Sequence, residues 1–172
     1  MTIYGVSSNL LKDLERVYQN MESGEESCLP GCYLCCGWES NSTSPEIAYV
    51  TFLEFVYMIS DLDLNRLYQL ASKPKLTLKV KDALNNYIDL TFCSFVEVKN
   101  GMGKCIIHPK QSWWARVYKR VSGKCDYYPS KEDMEAYNRI TELNNQITGE
   151  FSSFKEFGRM PIRFWLGLIT SK

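Results

Sequence analysis

Four of the seven cysteines in this chain lie within nine consecutive residues, 28–36, which we call the cysteine run. They are Cys28, Cys32, Cys35 and Cys36. Thiolates crowded this closely gain more free energy from coordinating a metal ion than from burial as small apolar side chains. Three more cysteines follow later, at Cys93, Cys105 and Cys125. We therefore interpret all seven thiols as candidate metal ligands, although the three later ones would also suit a hydrophobic core.

The spacing of the thiols favours an iron–sulfur cluster, of the 4Fe-4S kind, over a single zinc ion. Structural zinc takes two separated Cys-x2–4-Cys pairs, and one pair from the cysteine run together with Cys93 and Cys105 would fit that pattern. However, the side chains of Cys35 and Cys36 diverge in a helix or a strand, so both cannot easily reach one tetrahedral ion. They can instead bind different iron atoms of one cluster, or belong to two separate centres. Zinc remains the alternative occupant.

His108, the only histidine, is a further candidate ligand three residues after Cys105. Seven thiolates and one imidazole supply eight donors, enough for two four-coordinate sites. A histidine placed directly before Pro109 also suits a surface position at the start of a helix. Both interpretations stay open.

Composition limits the class of protein and its partners. A length of 172 residues predicts one domain, residues 1–172, large enough to bury a core. Twenty basic residues balance twenty acidic ones, so no basic excess suggests binding of nucleic acid. The N-terminal sequence lacks the pattern of a secretory signal, and no apolar stretch is long enough to span a bilayer. We expect a cytoplasmic protein, whose reducing compartment disfavours a framework of disulfides.

Helical spacing of apolar residues and capping residues predict a mostly α-helical chain. The predicted helices begin at Ser7 or Ser8, Pro45, Asp63, Leu76, Pro109 and Ser130, and an apolar element over residues 154–168 closes the chain. The first ends near Gly24. The fourth, over residues 76–87, could instead be a strand because apolar and polar residues alternate at its start.

A β-hairpin is predicted between Phe92 and Ile107, with its turn at Asn100-Gly101. It would place Cys93 and Cys105 near each other at its open end. The predicted fold class is therefore mostly α with a short β-hairpin, in a single compact domain organised around a cysteine-ligated metal centre.

The pattern of the cysteine run, followed by Cys93-Ser94-Phe95 and by the segment Gly103–Pro109, resembles the CxxCxxCC (YkgJ-type) family of zinc- or iron-chelating proteins. The similarity covers roughly residues 28–60 and 90–117. Ala115-Arg116 occupies the place of a Cys-Arg pair in that family, so one family ligand is missing here. The resemblance implies that Cys125 or His108 takes its place, or that one site is lost.

The family is distantly similar to flagellin lysine N-methylases, and this similarity implies S-adenosylmethionine chemistry beside an iron–sulfur centre and a protein partner or protein substrate. Our leading hypothesis is a metal-binding protein with an iron–sulfur cluster and a redox, accessory or protein-modifying role. The alternatives are an S-adenosylmethionine-dependent enzyme, radical or methylase-like, and a structural zinc-binding interaction module. Against the radical enzyme, the sequence lacks the alternating strands and helices that build its barrel.

Overall fold

The computed structural model describes residues 2–21, 37–39, 49–74, 76–81, 84–100, 102–107, 109–121, 124–127 and 129–171. In this part of the chain the helices are α1 (Ser8–Gln19), α2 (Phe52–Ile59), α3 (Leu64–Ser72), α4 (Trp113–Val117), α5 (Lys131–Asn144) and α6 (Ile162–Thr170), with a 3₁₀ helix at Ser152–Phe157. The strands are β1 (Thr2–Ile3), β2 (Val6–Ser7), β3 (Gly37–Glu39), β4 (Tyr49–Val50), β5 (Thr77–Lys81), β6 (Tyr87–Phe92), β7 (Val96–Lys99), β8 (Met102–Cys105), β9 (Tyr118–Val121), β10 (Lys124–Tyr127) and β11 (Met160–Pro161).

The described strands form small antiparallel sheets rather than one large one. Strands β1 and β2, β4 and β11, β7 and β8, and β9 and β10 form two-stranded pairs. The remaining sheet has three strands in the order β3-β6-β5. The fold is thus mixed α/β, and the predicted mostly helical domain with one hairpin is confirmed only in part.

Local capping signals place three helices where the sequence predicts them. Ser7 accepts a hydrogen bond from the Leu10 amide at 3.1 Å and begins α1. Asp63 caps α3 through the Arg66 amide at 2.8 Å. Ser130 caps α5 in a reciprocal capping box with the residue three positions on. Each cap satisfies backbone amides that the first turn of a helix leaves without a partner.

Helix α2 lies at the centre of the core, and all eight of its residues are buried. Its Phe52 ring packs against Trp165 of α6, with the ring centroids 5.3 Å apart. The indole of Trp165 donates to the Val50 carbonyl at 2.9 Å. Asn144 of α5 accepts a hydrogen bond from the Leu53 amide at 3.0 Å, which ties α5 to the start of α2. A helix buried on all sides is the body on which the other elements pack.

The helix predicted from Pro45 is confirmed over Phe52–Ile59 but wrong at its start, since Tyr49 and Val50 form β4. They pair with Pro161 and Met160 of β11, and α2 begins only after Thr51. Thr51 and Glu54 form a capping box, which is a stronger start signal than the preceding proline. Residues 40–48 lie outside the described residues.

The helix predicted over residues 76–87 is also wrong. Thr77–Lys81 and Tyr87–Phe92 are antiparallel strands with five paired positions, and Asn85 in the turn between them has a φ of +67°. The alternation of apolar and polar residues from Leu76 onwards correctly indicates a strand. Cross-strand pairing stabilises this segment more than a few apolar residues at helical spacing would stabilise a helix. The helix predicted from Pro109 is shorter than expected, since α4 ends at Val117 and β9 follows. The predicted hairpin is confirmed by β7 and β8.

We predict that Gly5→Ala lowers the free energy of unfolding by about 2 kcal/mol. Gly5 has a φ of +78°, and a Cβ there would lie 2.7 Å from the carbonyl oxygen of Thr148. Gly149→Ala is the matched control, because Gly149 has a φ of +86° but a Cβ there would meet no atom within 4 Å. We expect a loss of about 1 kcal/mol from the control. Urea denaturation measures both, and equal losses would mean that the contact with Thr148 is unimportant.

Candidate metal centre

The open end of the β7–β8 hairpin carries the two cysteines whose side chains the structure describes. Cys93 directly follows β6, and Cys105 is the last residue of β8. The Val96 amide donates to the Cys93 carbonyl at 3.0 Å, and Val96 is also the partner of Cys105 in the strand pairing. The turn at Cys93–Val96 and the pairing of Val96 with Cys105 therefore bring both cysteines to one end of the hairpin.

Cys93 and Cys105 line a single small cavity of about 30 Å³, and both are partly buried. This confirms their predicted proximity. Most of the other walls are apolar, with Met58 from α2 and Ile162 from α6 among them. A volume of this size holds about one water molecule or one ion. Two soft sulfur donors thus line one small space whose other walls are mostly apolar.

The segment that follows Cys105 forms the opposite wall of the cavity. Gln111, Ser112 and Ala115 line it, and Ser112 is buried. Ala115 is the position at which the family resemblance implies a missing cysteine ligand. A side chain at position 115 therefore faces the same space as the two thiols.

Strand pairing places the start of β3 beside the end of β6, the strand that Cys93 follows. Gly37, the first residue of β3, pairs with Phe92, the last residue of β6. Cys36 precedes Gly37 in the sequence, and Cys93 follows Phe92. The start of β3 and the end of β6 therefore lie at the same end of the β3–β6 pair.

Six further residues belong to the predicted ligand set. Cys28, Cys32, Cys35, Cys36 and His108 lie outside the described residues. Cys125 lies in β10 opposite Arg120, and its side chain is not among those described. Within the described part of the chain, no group of three or more His, Cys, Asp or Glu side chains is arranged to hold a metal ion. Of the predicted ligand set, the structure brings together Cys93 and Cys105.

Glu54 is a buried carboxylate beside this region that the sequence pattern did not single out as functional. One oxygen accepts hydrogen bonds from the Tyr18 hydroxyl and from the Trp113 amide, both at 2.8 Å. The other accepts from the amide of Thr51 at 3.2 Å and from its hydroxyl at 3.3 Å. Burial, and then the charge of Glu54, raise the pKa of Tyr18 well above its usual value. The T-x-x-E spacing of the capping box was the available signal for Glu54.

Basic side chains hold the segment that follows Cys105. The Lys110 ammonium donates to the Ser60 hydroxyl at 2.5 Å and lies 3.1 Å from the Asp61 carboxylate. The Arg116 guanidinium donates to the carbonyls of Pro109 and Gln111, both at 2.9 Å. Charge-assisted bonds of this kind are stronger than those between neutral groups, so they fix this wall of the cavity.

No protein-family model, curated protein or solved structure matches the chain. Among the described residues, no helix combines the length and the apolar composition that crossing a bilayer requires.

Proposed function

We propose that this chain is a metal-binding protein in which Cys93 and Cys105 supply one side of a thiolate centre and the cysteine run supplies the other. The favoured occupant is an iron–sulfur cluster of the 4Fe-4S kind, in a cytoplasmic protein with a redox, accessory or protein-modifying role. The observation that supports the proposal is the shared cavity of the two thiols at the end of the β3–β6 pair.

Strand pairing and covalent geometry limit the distance between the start of β3 and Cys93. Neighbouring Cα atoms are about 3.8 Å apart, and paired Cα atoms on antiparallel strands are at most about 5.5 Å apart. Since Gly37 pairs with Phe92, the Cα atoms of Gly37 and Cys93 can be no more than about 9 Å apart, and the cysteine run directly precedes Gly37 in the sequence. Ligands that are distant in sequence can therefore meet at one centre.

The chemistry of the described donors fits soft metals. Thiolates select zinc, copper(I) and iron–sulfur clusters over magnesium or calcium. A cluster would take its remaining ligands from the cysteine run. Cys93 and Cys105 would bind it, and it would supply electron transfer or a binding position for a cofactor.

The small volume of the cavity favours a second candidate function, a structural zinc module. A single ion needs no more room than the cavity offers, and closed four-coordinate zinc sites stabilise small folds. In this case the remaining ligands would again come from the cysteine run, and the protein would act by binding a partner.

Anaerobic purification followed by metal and sulfide analysis tests these functions. A brown protein with stoichiometric iron and acid-labile sulfide supports the cluster, and a colourless protein with stoichiometric zinc supports the zinc module. A chain that binds neither contradicts both. If iron and sulfide are present, incubation of the reduced protein with S-adenosylmethionine shows whether it cleaves this cofactor, as an enzyme of the S-adenosylmethionine class would.

We predict that Ala115→Cys strengthens metal binding, because position 115 faces the cavity that both thiols line. The rate at which the protein loses zinc to a competing chelator should fall by about tenfold. Changes around metal ligands alter metal affinity by about 10- to 100-fold, and we take the lower value. Ala136→Cys is the matched control, since Ala136 is buried in α5 and does not line the cavity. Equal rates in the two variants would show that position 115 does not face the metal.

A further inference from the structure

We propose that Arg116 is a positioning residue that fixes one wall of the thiol cavity and thereby controls access to Cys93 and Cys105. This inference deepens the proposed function and rests on it for its consequence in metal binding. The contacts of Arg116 that fix the wall involve only protein atoms, so its effect on access to the two thiols can be tested in the metal-free protein.

The Arg116 guanidinium bridges two points of the segment between β8 and α4. Its Nε donates to the Gln111 carbonyl and one terminal nitrogen donates to the Pro109 carbonyl, both at 2.9 Å. Gln111 lines the cavity, whereas Arg116 itself does not. A planar fork with several fixed donors can hold two carbonyls at once, and the single ammonium of a lysine cannot reproduce this geometry.

The guanidinium is in turn held by a network that crosses three helices. It lies over the ring of Tyr18 in α1, 4.1 Å from the ring centroid. The Tyr18 hydroxyl donates to Glu54 of α2, and the same carboxylate oxygen accepts the amide of Trp113 at the start of α4. Trp113 begins the first turn of α4 and Arg116 ends it. Both residues therefore connect this turn to the buried network of Tyr18 and Glu54. Because Ser112 and Ala115 lie beside them, this network sets the position of the cavity wall.

Arg159 provides a matched control, because it makes the same kinds of contact away from the cavity. Its guanidinium lies 3.6 Å from the centroid of the Tyr137 ring and donates to the Tyr137 carbonyl at 3.1 Å. It also donates to the Thr141 hydroxyl at 3.0 Å. Both partners belong to α5, which contributes no residue to the lining of the cavity.

The test compares Arg116→Lys with Arg159→Lys in the reduced, metal-free full-length chain. Each protein is alkylated with N-ethylmaleimide under native conditions, and peptide mass spectrometry measures the rates at Cys93 and Cys105 separately. We expect Arg116→Lys to accelerate alkylation of both cysteines by about tenfold, because a lysine ammonium cannot hold both carbonyls and one charge-assisted hydrogen bond that opposes local opening is lost. Arg159→Lys should leave both rates unchanged while lowering the thermal midpoint to a similar extent.

A graded variant and a spectroscopic measurement extend the test. Arg116→Gln is shorter and neutral and loses both charge-assisted hydrogen bonds, so its alkylation rates should exceed those of Arg116→Lys. In the cobalt-substituted protein, the thiolate charge-transfer band should change in Arg116→Lys and not in Arg159→Lys. Unchanged alkylation in Arg116→Lys, or equal acceleration in Arg159→Lys, would overturn the role of Arg116. Failure to bind any metal would instead contradict the proposed function and leave the alkylation result standing.

Discussion

Replacing Cys93 or Cys105 with serine should reduce the metal content of the protein to background. Serine has nearly the shape of cysteine, but its hydroxyl is neutral at pH 7 and is a poor ligand for soft metals. Mutating residues that hydrogen-bond to metal ligands lowers metal affinity by about 10- to 100-fold. We therefore expect the loss of a ligand itself to lower the affinity by more than about 100-fold. Metal analysis after anaerobic purification measures this directly, and circular dichroism checks that the variants are folded.

The matched control for these variants is Ile107→Val. Ile107 lines the same cavity, and its replacement removes one methyl group while leaving both thiols in place. We expect wild-type metal content and a small loss of stability, about 1 kcal/mol. Full metal content in Cys93→Ser and Cys105→Ser would show that the hairpin contributes no ligand and that the centre, if present, belongs to the cysteine run alone.

Replacing Glu54 with leucine should lower the free energy of unfolding by about 3 kcal/mol or more. Glu54 is fully buried and accepts hydrogen bonds from Tyr18, Thr51 and Trp113. Leucine has a similar volume but no acceptor, so it leaves the Tyr18 hydroxyl and the Trp113 amide without this partner in the interior. Urea denaturation, monitored by tryptophan fluorescence, measures the difference.

Glu142→Leu is the control for the loss of a carboxylate. Glu142 pairs with Arg139 on the surface of α5 at 2.9 Å, and its side chain is 64% exposed. Exposed ion pairs contribute about 0.5 kcal/mol, so we expect a change no larger than that. A comparably small loss in Glu54→Leu would mean that the buried network does not stabilise the fold.

Features set by neighbouring residues could be predicted from the sequence. The caps at Ser7, Asp63 and Ser130 each depend on a hydrogen bond to the residue three positions later. The hairpin that joins Cys93 and Cys105 is likewise local, since its turn residues and alternating strands lie within one short segment. The prediction that these cysteines meet rested on this hairpin, and it is confirmed.

Features that depend on distant partners could not be predicted. Tyr49 and Val50 form a strand because they pair with Pro161 and Met160 near the other end of the chain. Apolar spacing alone left a helix as the simpler interpretation of residues 76–87, since the pairing that makes them strands depends on tertiary context. The hydrogen bond from the Trp113 amide to Glu54 joins residues 59 positions apart, so only the fold reveals that Glu54 supports the wall of the cavity.

The central claim is that cysteines remote in sequence bind one metal centre. X-ray absorption spectroscopy at the metal edge of the anaerobically purified protein tests it most directly. We predict a coordination shell dominated by sulfur at about 2.3 Å, whose sulfur count falls in Cys93→Ser. A shell of nitrogen and oxygen alone, or a sulfur count that does not change in this variant, would contradict the claim.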